Sequence, residues 1–234
     1  MNRRAFTALG LGTAIGLPLG AVELARAVHE SEAARLPDRP LPVPPGGIIR
    51  TAVAIGPGAN VIDLAGPWEV FQDAAVNHGA ARFELFTVAE STQPVSASGG
   101  LTITPTYSYE ESPRPHVVVV PAHGTTDGTL SWLRRVDRQA DLVMSVCTGA
   151  YVLGQAGLLD GKTATTHHQS YDDFQATFPK VRLVRGRRFV EHEHLATAGG
   201  LTSGIDLALR VVERYLGRDA VARTAAFMEY QRRR

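Results

Sequence analysis

Downstream of Gly46-Gly47 the hydrophobic positions repeat in two alternating periods, one of strands and one of helices. Residues 48–55 form a short β-rich run closed by Gly56-Pro57-Gly58. Residues 67–76 read as a helix, with Pro67 in its first turn, where a missing N–H is tolerated. Residues 82–88 read as a strand. Residues 101–109 alternate Thr with apolar side chains between Gly99-Gly100 and Ser112-Pro113, the pattern of a hairpin or an edge strand. The four valines from Val117 to Val120 are apolar toward both faces and predict a buried central strand. Residues 127–139 predict a helix, 141–146 a strand and 148–159 a helix. Residues 162–166 predict a short strand and 170–177 a short helix. Residues 181–184 and 188–191 read as strands joined by a turn at Arg185-Gly186-Arg187. Residues 203–216 are the clearest helix, with Ile205, Ala208, Val212 and Tyr215 as its apolar stripe and Arg210, Glu213 and Arg214 elsewhere. Residues 219–230 predict a last helix capped by Asp219. The alternation implies an α/β fold, a mostly parallel open sheet flanked by helices on both faces.

The N-terminus breaks this pattern. Arg3-Arg4 is followed by Phe6, an uncharged run over residues 8–22 and the small-x-small sequence Ala25-Arg26-Ala27. The order of basic, apolar and cleavage-like segments is that of a twin-arginine export signal over residues 1–27. The expected location is therefore the periplasm or the cell exterior, with a membrane tether if the signal is not cleaved. Residues 28–47 are Pro-rich and without clear apolar periodicity, which predicts a tether or a segment wrapping the domain. The folded domain is expected over residues 48–231.

Composition narrows the function. Of 234 residues, 44% are hydrophobic and 20% charged, which excludes disorder over most of the length. With 24 basic against 23 acidic residues the net charge is +1, and loss of Arg3, Arg4, Arg26 and Glu23 with the signal would leave about −1. Nothing here attracts nucleic acid. A single cysteine excludes a disulfide scaffold.

That cysteine stands where an apolar strand, residues 141–146, meets a helix that begins at once with Thr148-Gly149-Ala150. A strand-turn-helix of this kind is a nucleophile elbow. It aims the first helix amides at the sulfur, which predicts a thiol pKa below the ordinary value. The alternative is an inert buried Cys147 that fills space. In open parallel sheets ligands bind beyond the carboxyl ends of the strands. Asp63, after the first strand, is placed there to trade protons, or else to cap a turn. Ala122, His123 and Gly124 follow the valine strand, and their amides are candidates for an anion cradle. His167 and His168 follow another strand end. His192-Glu193-His194 would put two imidazoles on one strand face but has no third ligand to complete a metal site, and none is expected. There is no G-x-G-x-x-G after the first strand and no Walker lysine motif.

Four ordered segments carry a resemblance. Ile62-Asp63-Leu64-Ala65-Gly66-Pro67-Trp68-Glu69-Val70-Phe71, Ser145-Val146-Cys147-Thr148-Gly149-Ala150, Ala156-Gly157-Leu158-Leu159-Asp160-Gly161-Lys162-Thr163-Ala164-Thr165-Thr166-His167 and Thr197-Ala198-Gly199-Gly200-Leu201-Thr202-Ser203-Gly204-Ile205-Asp206-Leu207-Ala208 resemble the ThiJ/PfpI superfamily over residues 48–230. The resemblance implies a flavodoxin-like three-layer sandwich of the class I glutamine-amidotransferase-like kind. Aspartate at 63 and threonine at 148 point to the branch of isonitrile hydratases and of the ligand-side domains of AraC-type regulators. In such a site Cys147 would be the nucleophile, Asp63 the general acid/base, and Thr148 would position substrate or water. Gly66, Ala122, His123, Gly124, His167 and His168 would line the substrate. The product of an isonitrile would be an N-substituted formamide, reached through a thioimidate on sulfur. No metal or organic cofactor is implied. A homodimer and passage through the twin-arginine machinery are the expected associations, and nucleic acid is not.

Two departures alter the pocket. Ala122-His123 stand where family members commonly have Gly-Gly, and His168 stands where relatives often have a bulky aromatic. Two other readings compete with an enzyme. One is a redox or electrophile sensor using the same thiolate. The other is a small-molecule-binding domain, weakened by the export signal and by a sequence that runs out at Arg234 without a DNA-binding helix pair.

Overall fold

Strands that are apolar toward both faces need cover on both, and the chain supplies it with helices on either side of one sheet. The computed structural model describes residues 39–76 and 82–231. The expected signal, the first part of the linker and the Arg232-Arg233-Arg234 tail lie outside the described residues.

The main sheet has seven strands in the order β10-β11-β7-β6-β1-β2-β5. These are β1 (Ile48–Ala54), β2 (Arg82–Ala89), β5 (Tyr107–Ser108), β6 (Val117–Val120), β7 (Leu142–Val146), β10 (Phe189–His192) and β11 (Leu195–Ala198). All neighbours are parallel except β10, which runs antiparallel to β11. Two small pairs lie outside it: the hairpin β3 (Val95–Ser96) with β4 (Thr102–Ile103), and parallel β8 (Thr163–Ala164) with β9 (Arg182–Leu183). Helices α1 (Val61–Val76), α5 (Ser203–Leu216) and α6 (Arg218–Phe227) cover one face. Helices α2 (Asp127–Asp137), α3 (Gly149–Gln155) and α4 (Tyr171–Thr177) cover the other. The alternation is visible in β6, where Val117 and Val119 join one core and Val118 and Val120 the other. The α/β three-layer expectation holds.

Several local expectations do not. Helix α1 begins at Val61, six residues before Pro67, which therefore lies inside it. The missed start has a tertiary cause: the Val61 N–H is capped by the Ser98 hydroxyl at 3.1 Å, from a segment 37 residues away. Helix α6 starts after Gly217, and Asp219 lies in its first turn without acting as the cap. The strands either side of Arg185-Gly186-Arg187 do not pair with each other. β9 pairs with β8, and β10 turns at Glu193-His194 into β11, a strand the hydrophobic pattern did not separate from the following turn. Helix α5 is buried around most of its circumference, Arg210 and Arg214 included, because Glu191 on β10 meets both guanidiniums at 2.9 Å. Of the expected linker, residues 39–47 are described, and Leu41 N–H donates to the Arg214 carbonyl at 2.8 Å along α5.

The start of α3 is jammed against β6. A Cβ on Gly149 would overlap the Val120 carbonyl oxygen and come within 2.9 Å of the Pro121 backbone. Gly149→Ala should therefore destabilise the protein by about 1–3 kcal/mol, the range for overpacking. Urea unfolding would show it as a lower midpoint at unchanged slope. An unchanged midpoint would mean that α3 can retreat from β6 without loss.

Candidate active site

β7 ends one residue before Cys147, and α3 begins two residues after it. The turn forces Cys147 to φ 58°, left-handed backbone that costs a side-chain-bearing residue about 1–3 kcal/mol. Neighbouring segments pin it there. Cys147 N–H donates to the Gly199 carbonyl at 2.8 Å, and the Thr166 hydroxyl donates to the Cys147 carbonyl at 3.0 Å. The elbow is thus held from β11's end on one side and from the segment after β8 on the other.

The sulfur accepts hydrogen bonds from the Thr148 N–H, the Leu201 N–H and the Thr148 hydroxyl. These donors favour thiolate but do not win. Burial pushes the Cys147 thiol up, and the Asp63 charge pushes it further. The expected fall is corrected to a rise: the elbow amides do reach the sulfur, but Cys147 is only 7% exposed and faces a carboxylate.

Asp63 sits in the first turn of α1 and is fully buried. Its Oδ2 accepts the Ala122 N–H at 3.2 Å, while Oδ1 is buried without a hydrogen-bond partner. Burial lifts the carboxyl to about 6, against the lowering effect of the Ala122 N–H and the Cys147 thiol. Asp63 and Cys147 thus form one coupled pair, a high-pKa thiol beside a carboxyl poised near neutrality.

Thr148 stands at the N-terminus of α3 without a side-chain cap bond to it, and turns both its amide and its hydroxyl to the sulfur. Of the three amides expected to form an anion cradle, those of Ala122 and Gly124 are committed to Asp63 and to the Pro57 carbonyl (2.8 Å). The His123 ring packs over Gly56, and its Nδ1 lies 2.7 Å from the Gly124 carbonyl. That bond makes Nδ1 the donor and leaves Nε2 a lone-pair acceptor, which is buried and unpartnered. Burial also holds the ring below its usual pKa. Gly66 is buried, and a Cβ there would come within 3.0 Å of Ile205, so it sets the approach of α1 to α5. His167 is half-buried against Gly200, next to the sulfur's Leu201, whereas His168 is exposed and its ring lies tilted against that of His167, centroids 4.4 Å apart.

Leu201 was missed. Its signal was faint: an apolar side chain left 40% exposed directly after Gly199-Gly200, at φ 51°. Ile62, 38% exposed beside Asp63, and half-buried Ile205 belong to the same two helix starts. His192 and His194 go to different partners, the Thr163 hydroxyl at 3.1 Å and the Asp137 carboxylate at 2.8 Å. The turn at Glu193 between β10 and β11 removes the shared strand face, and no group of three metal-ligating side chains occurs among the described residues.

Residues 49–214 match the model of the DJ-1/PfpI family. The chain is 34% identical over 180 residues to an isonitrile hydratase of Pseudomonas putida, covering 74% of this chain and 75% of that protein. It is 29% identical over 161 residues to the HTH-type transcriptional regulator CdhR of Pseudomonas aeruginosa, covering 67% of this chain and 47% of the regulator. The chain therefore spans about half the length of that regulator. Among solved structures, a ThiJ/PfpI family protein from Pseudomonas syringae superposes with a TM-score of 0.68 at 29% identity, over 85% of this chain and 84% of that one. DJ-1beta of Drosophila melanogaster, at 20% identity and TM-score 0.65 over 78% of this chain and 98% of that one, shares the fold.

Proposed function

Since this chain belongs to the DJ-1/PfpI family, we propose that it is a cysteine-dependent enzyme that hydrates a small isonitrile to the N-substituted formamide. The observation that carries this reading is the placement of one fully buried carboxyl, Asp63, against the sulfur of the strained Cys147 elbow, where burial raises the pKa of both groups. An isonitrile is hydrated by repeated delivery and removal of one proton around its terminal carbon. A carboxyl poised near the working pH does both.

In the first step the Cys147 proton passes to Asp63, and sulfur forms a bond to the terminal isonitrile carbon. The Asp63 proton then moves to that carbon, which gives a thioimidate, S–CH=N–R. In the second step Asp63 takes a proton from water, hydroxide bonds to the same carbon, and the proton goes on to nitrogen. In the third step the new hydroxyl loses its proton to Asp63, the C=O forms, the C–S bond breaks and sulfur recovers the proton. Each step returns Asp63 to carboxylate, and the sum is isonitrile plus water to formamide. The Thr148 and Leu201 donors stabilise sulfur whenever it carries charge. The proposal keeps export as part of the reading, on Arg3-Arg4 and the apolar run behind them.

The test is incubation of the full chain with an alkyl isonitrile and detection of the formamide by mass spectrometry. The kcat/KM should rise with pH through a midpoint of about 6, as Asp63 becomes able to accept the thiol proton, and then stay flat through neutrality. A profile rising only with thiol ionisation would remove Asp63 from the mechanism. The matching halves of the regulators favour a second reading, ligand binding without turnover, which saturable binding with no formamide would support. Thiolate sensing is disfavoured because burial and Asp63 both hold the thiol protonated.

A further inference from the structure

The proposed chemistry fixes events at the isonitrile carbon and leaves open what the nitrogen carries. One side of the site speaks to that. His167 caps the 3₁₀ turn His168–Ser170, and its Nδ1 accepts the Gln169 N–H at 3.3 Å. With the Nδ1 lone pair used, the neutral ring carries its proton on Nε2. Burial and the neighbouring His168 hold the ring below its usual pKa, so the neutral form persists at pH 7. The ring edge that bears Nε2 lies on Gly200: a Cβ there would overlap Cδ2 and stand 3.0 Å from Nε2. Gly200 directly precedes Leu201, whose N–H bonds the sulfur. A hydrogen-bond donor with no protein acceptor among the described residues thus packs on the residue next to Leu201, whose amide bonds the sulfur.

The next element is the turn between β9 and β10. The Arg187 and Arg188 carbonyls would lie 3.6 Å from a Cβ on Gly199, so this turn borders the same Gly-Gly corner. Its cations are unevenly satisfied. Arg185 pairs with Asp172 at 2.6 Å and stacks over Tyr171, and Arg188 pairs with buried Asp206 at 2.5 Å. Arg187 is exposed and has no anionic partner among the described residues. The other nearby acid, Asp173, takes the Tyr151 hydroxyl at 2.7 Å. The backbone of Arg187 thus borders the Gly-Gly corner on which the His167 ring packs, and a guanidinium paired with an N–H donor suits an anion with planar acceptor oxygens.

We propose that His167 and Arg187 form a carboxylate subsite at the mouth of the Cys147 site, so that the substrate is a short isonitrile whose organic group carries a carboxylate. The Nε2–H donates to one carboxylate oxygen and Arg187 supplies the opposing charge. The isonitrile part rests on the reading of Cys147 as the hydration nucleophile. The carboxylate part does not.

Two measurements on the full chain separate them. First, calorimetric titration of the Cys147→Ser protein with propionate and with propionamide should show binding of propionate alone. Arg187→Gln and His167→Phe should each weaken propionate about 10-fold or more, and Arg187→Lys should retain most of it. Second, the active protein should prefer 3-isocyanopropanoate to butyl isonitrile in kcat/KM, and Arg187→Gln should lower that ratio about 10-fold through KM. Equal binding of propionate and propionamide, or a propionate affinity indifferent to Arg187, overturns the subsite. The exposed Arg187 keeps this decisive if His167→Phe fails to fold. Propionate binding with the expected dependence on Arg187, but no turnover of either isonitrile, upholds the subsite and sinks the hydratase reading.

Discussion

Asp63→Asn should lower kcat/KM for isonitrile hydration by about 100- to 10,000-fold, the span of a lost general acid/base, while making the fold more stable. The two effects share a cause. The carboxyl is fully buried and its pKa is lifted from 3.8 to about 6. A raised carboxyl pKa means that the folded state binds the proton more tightly than the unfolded state does. The stability it contributes is fully present below pH 3.8 and is lost as pH rises through about 6. At pH 7 the buried charge therefore costs about 1–3 kcal/mol, which Asn, keeping an oxygen for the Ala122 N–H, does not incur. The thiol should respond as well. The Asp63 charge raises it, so its removal should shift the midpoint of iodoacetamide alkylation at Cys147 to lower pH, with burial still holding it up. Thermal melts at pH 7, the alkylation profile and formamide formation read the three effects on one variant. An alkylation midpoint unmoved by Asp63→Asn would show the two groups to be uncoupled and remove the basis of the mechanism.

The same pair shows what the sequence made legible. The elbow could be read because it is local: an apolar strand, a Cys and a helix start are consecutive. Asp63 could be placed at a strand end by the α/β alternation. Its environment could not, because burial is a product of packing and the Ala122 N–H comes from the loop after β6, 59 residues away. The thiol pKa was misjudged for that reason. Helix dipole and amides are visible in sequence, whereas the opposing burial and carboxylate are products of packing. Leu201 was missed because it acts through its backbone N–H at φ 51°, so its side chain carries no chemical signature. Two of the three amides expected in an anion cradle find protein acceptors that the sequence does not show, Ala122 in Asp63 and Gly124 in the Pro57 carbonyl. Helix α1 was begun at Pro67 because its true cap, Ser98, lies on the β3–β4 hairpin. Periodicity found the helices and central strands, and it failed where distant segments supply the partner.

Arg210 and Arg214 are the sharpest case of such a distant partner, and they carry the second large expected effect. A helix with arginines at these positions predicts solvent on that face, yet both guanidiniums are buried, and Glu191, 1% exposed at its side chain, joins them. Arg210 Nε donates to Glu191 Oε2 and Arg214 Nη1 to Oε1, each at 2.9 Å. Glu213 adds a longer contact to Arg210 at 3.5 Å, and Arg214 Nε reaches the Arg39 carbonyl at 3.2 Å. Glu191→Ala deletes the carboxylate common to two buried cations, and breaking a buried pair from one side costs about 3–5 kcal/mol. Against a total stability of about 5–15 kcal/mol for a domain, that is enough to lower the melting temperature by many degrees. Replacing all three residues together by apolar ones, as in Glu191→Leu, Arg210→Met, Arg214→Leu, should cost far less, because no charge is then left stranded. Urea unfolding of the single and triple variants measures both quantities. A single variant within about 0.5 kcal/mol of the parent would show that water enters and solvates the guanidiniums, and that α5 is held by its apolar stripe alone. The cluster also bears on the site. Helix α5 begins two residues after Leu201, so an α5 loosened from β10 should loosen the Leu201 N–H from the sulfur. Glu191→Ala protein that still folds should then show a Cys147 alkylation midpoint above that of the parent, since a donor that favours thiolate has been weakened.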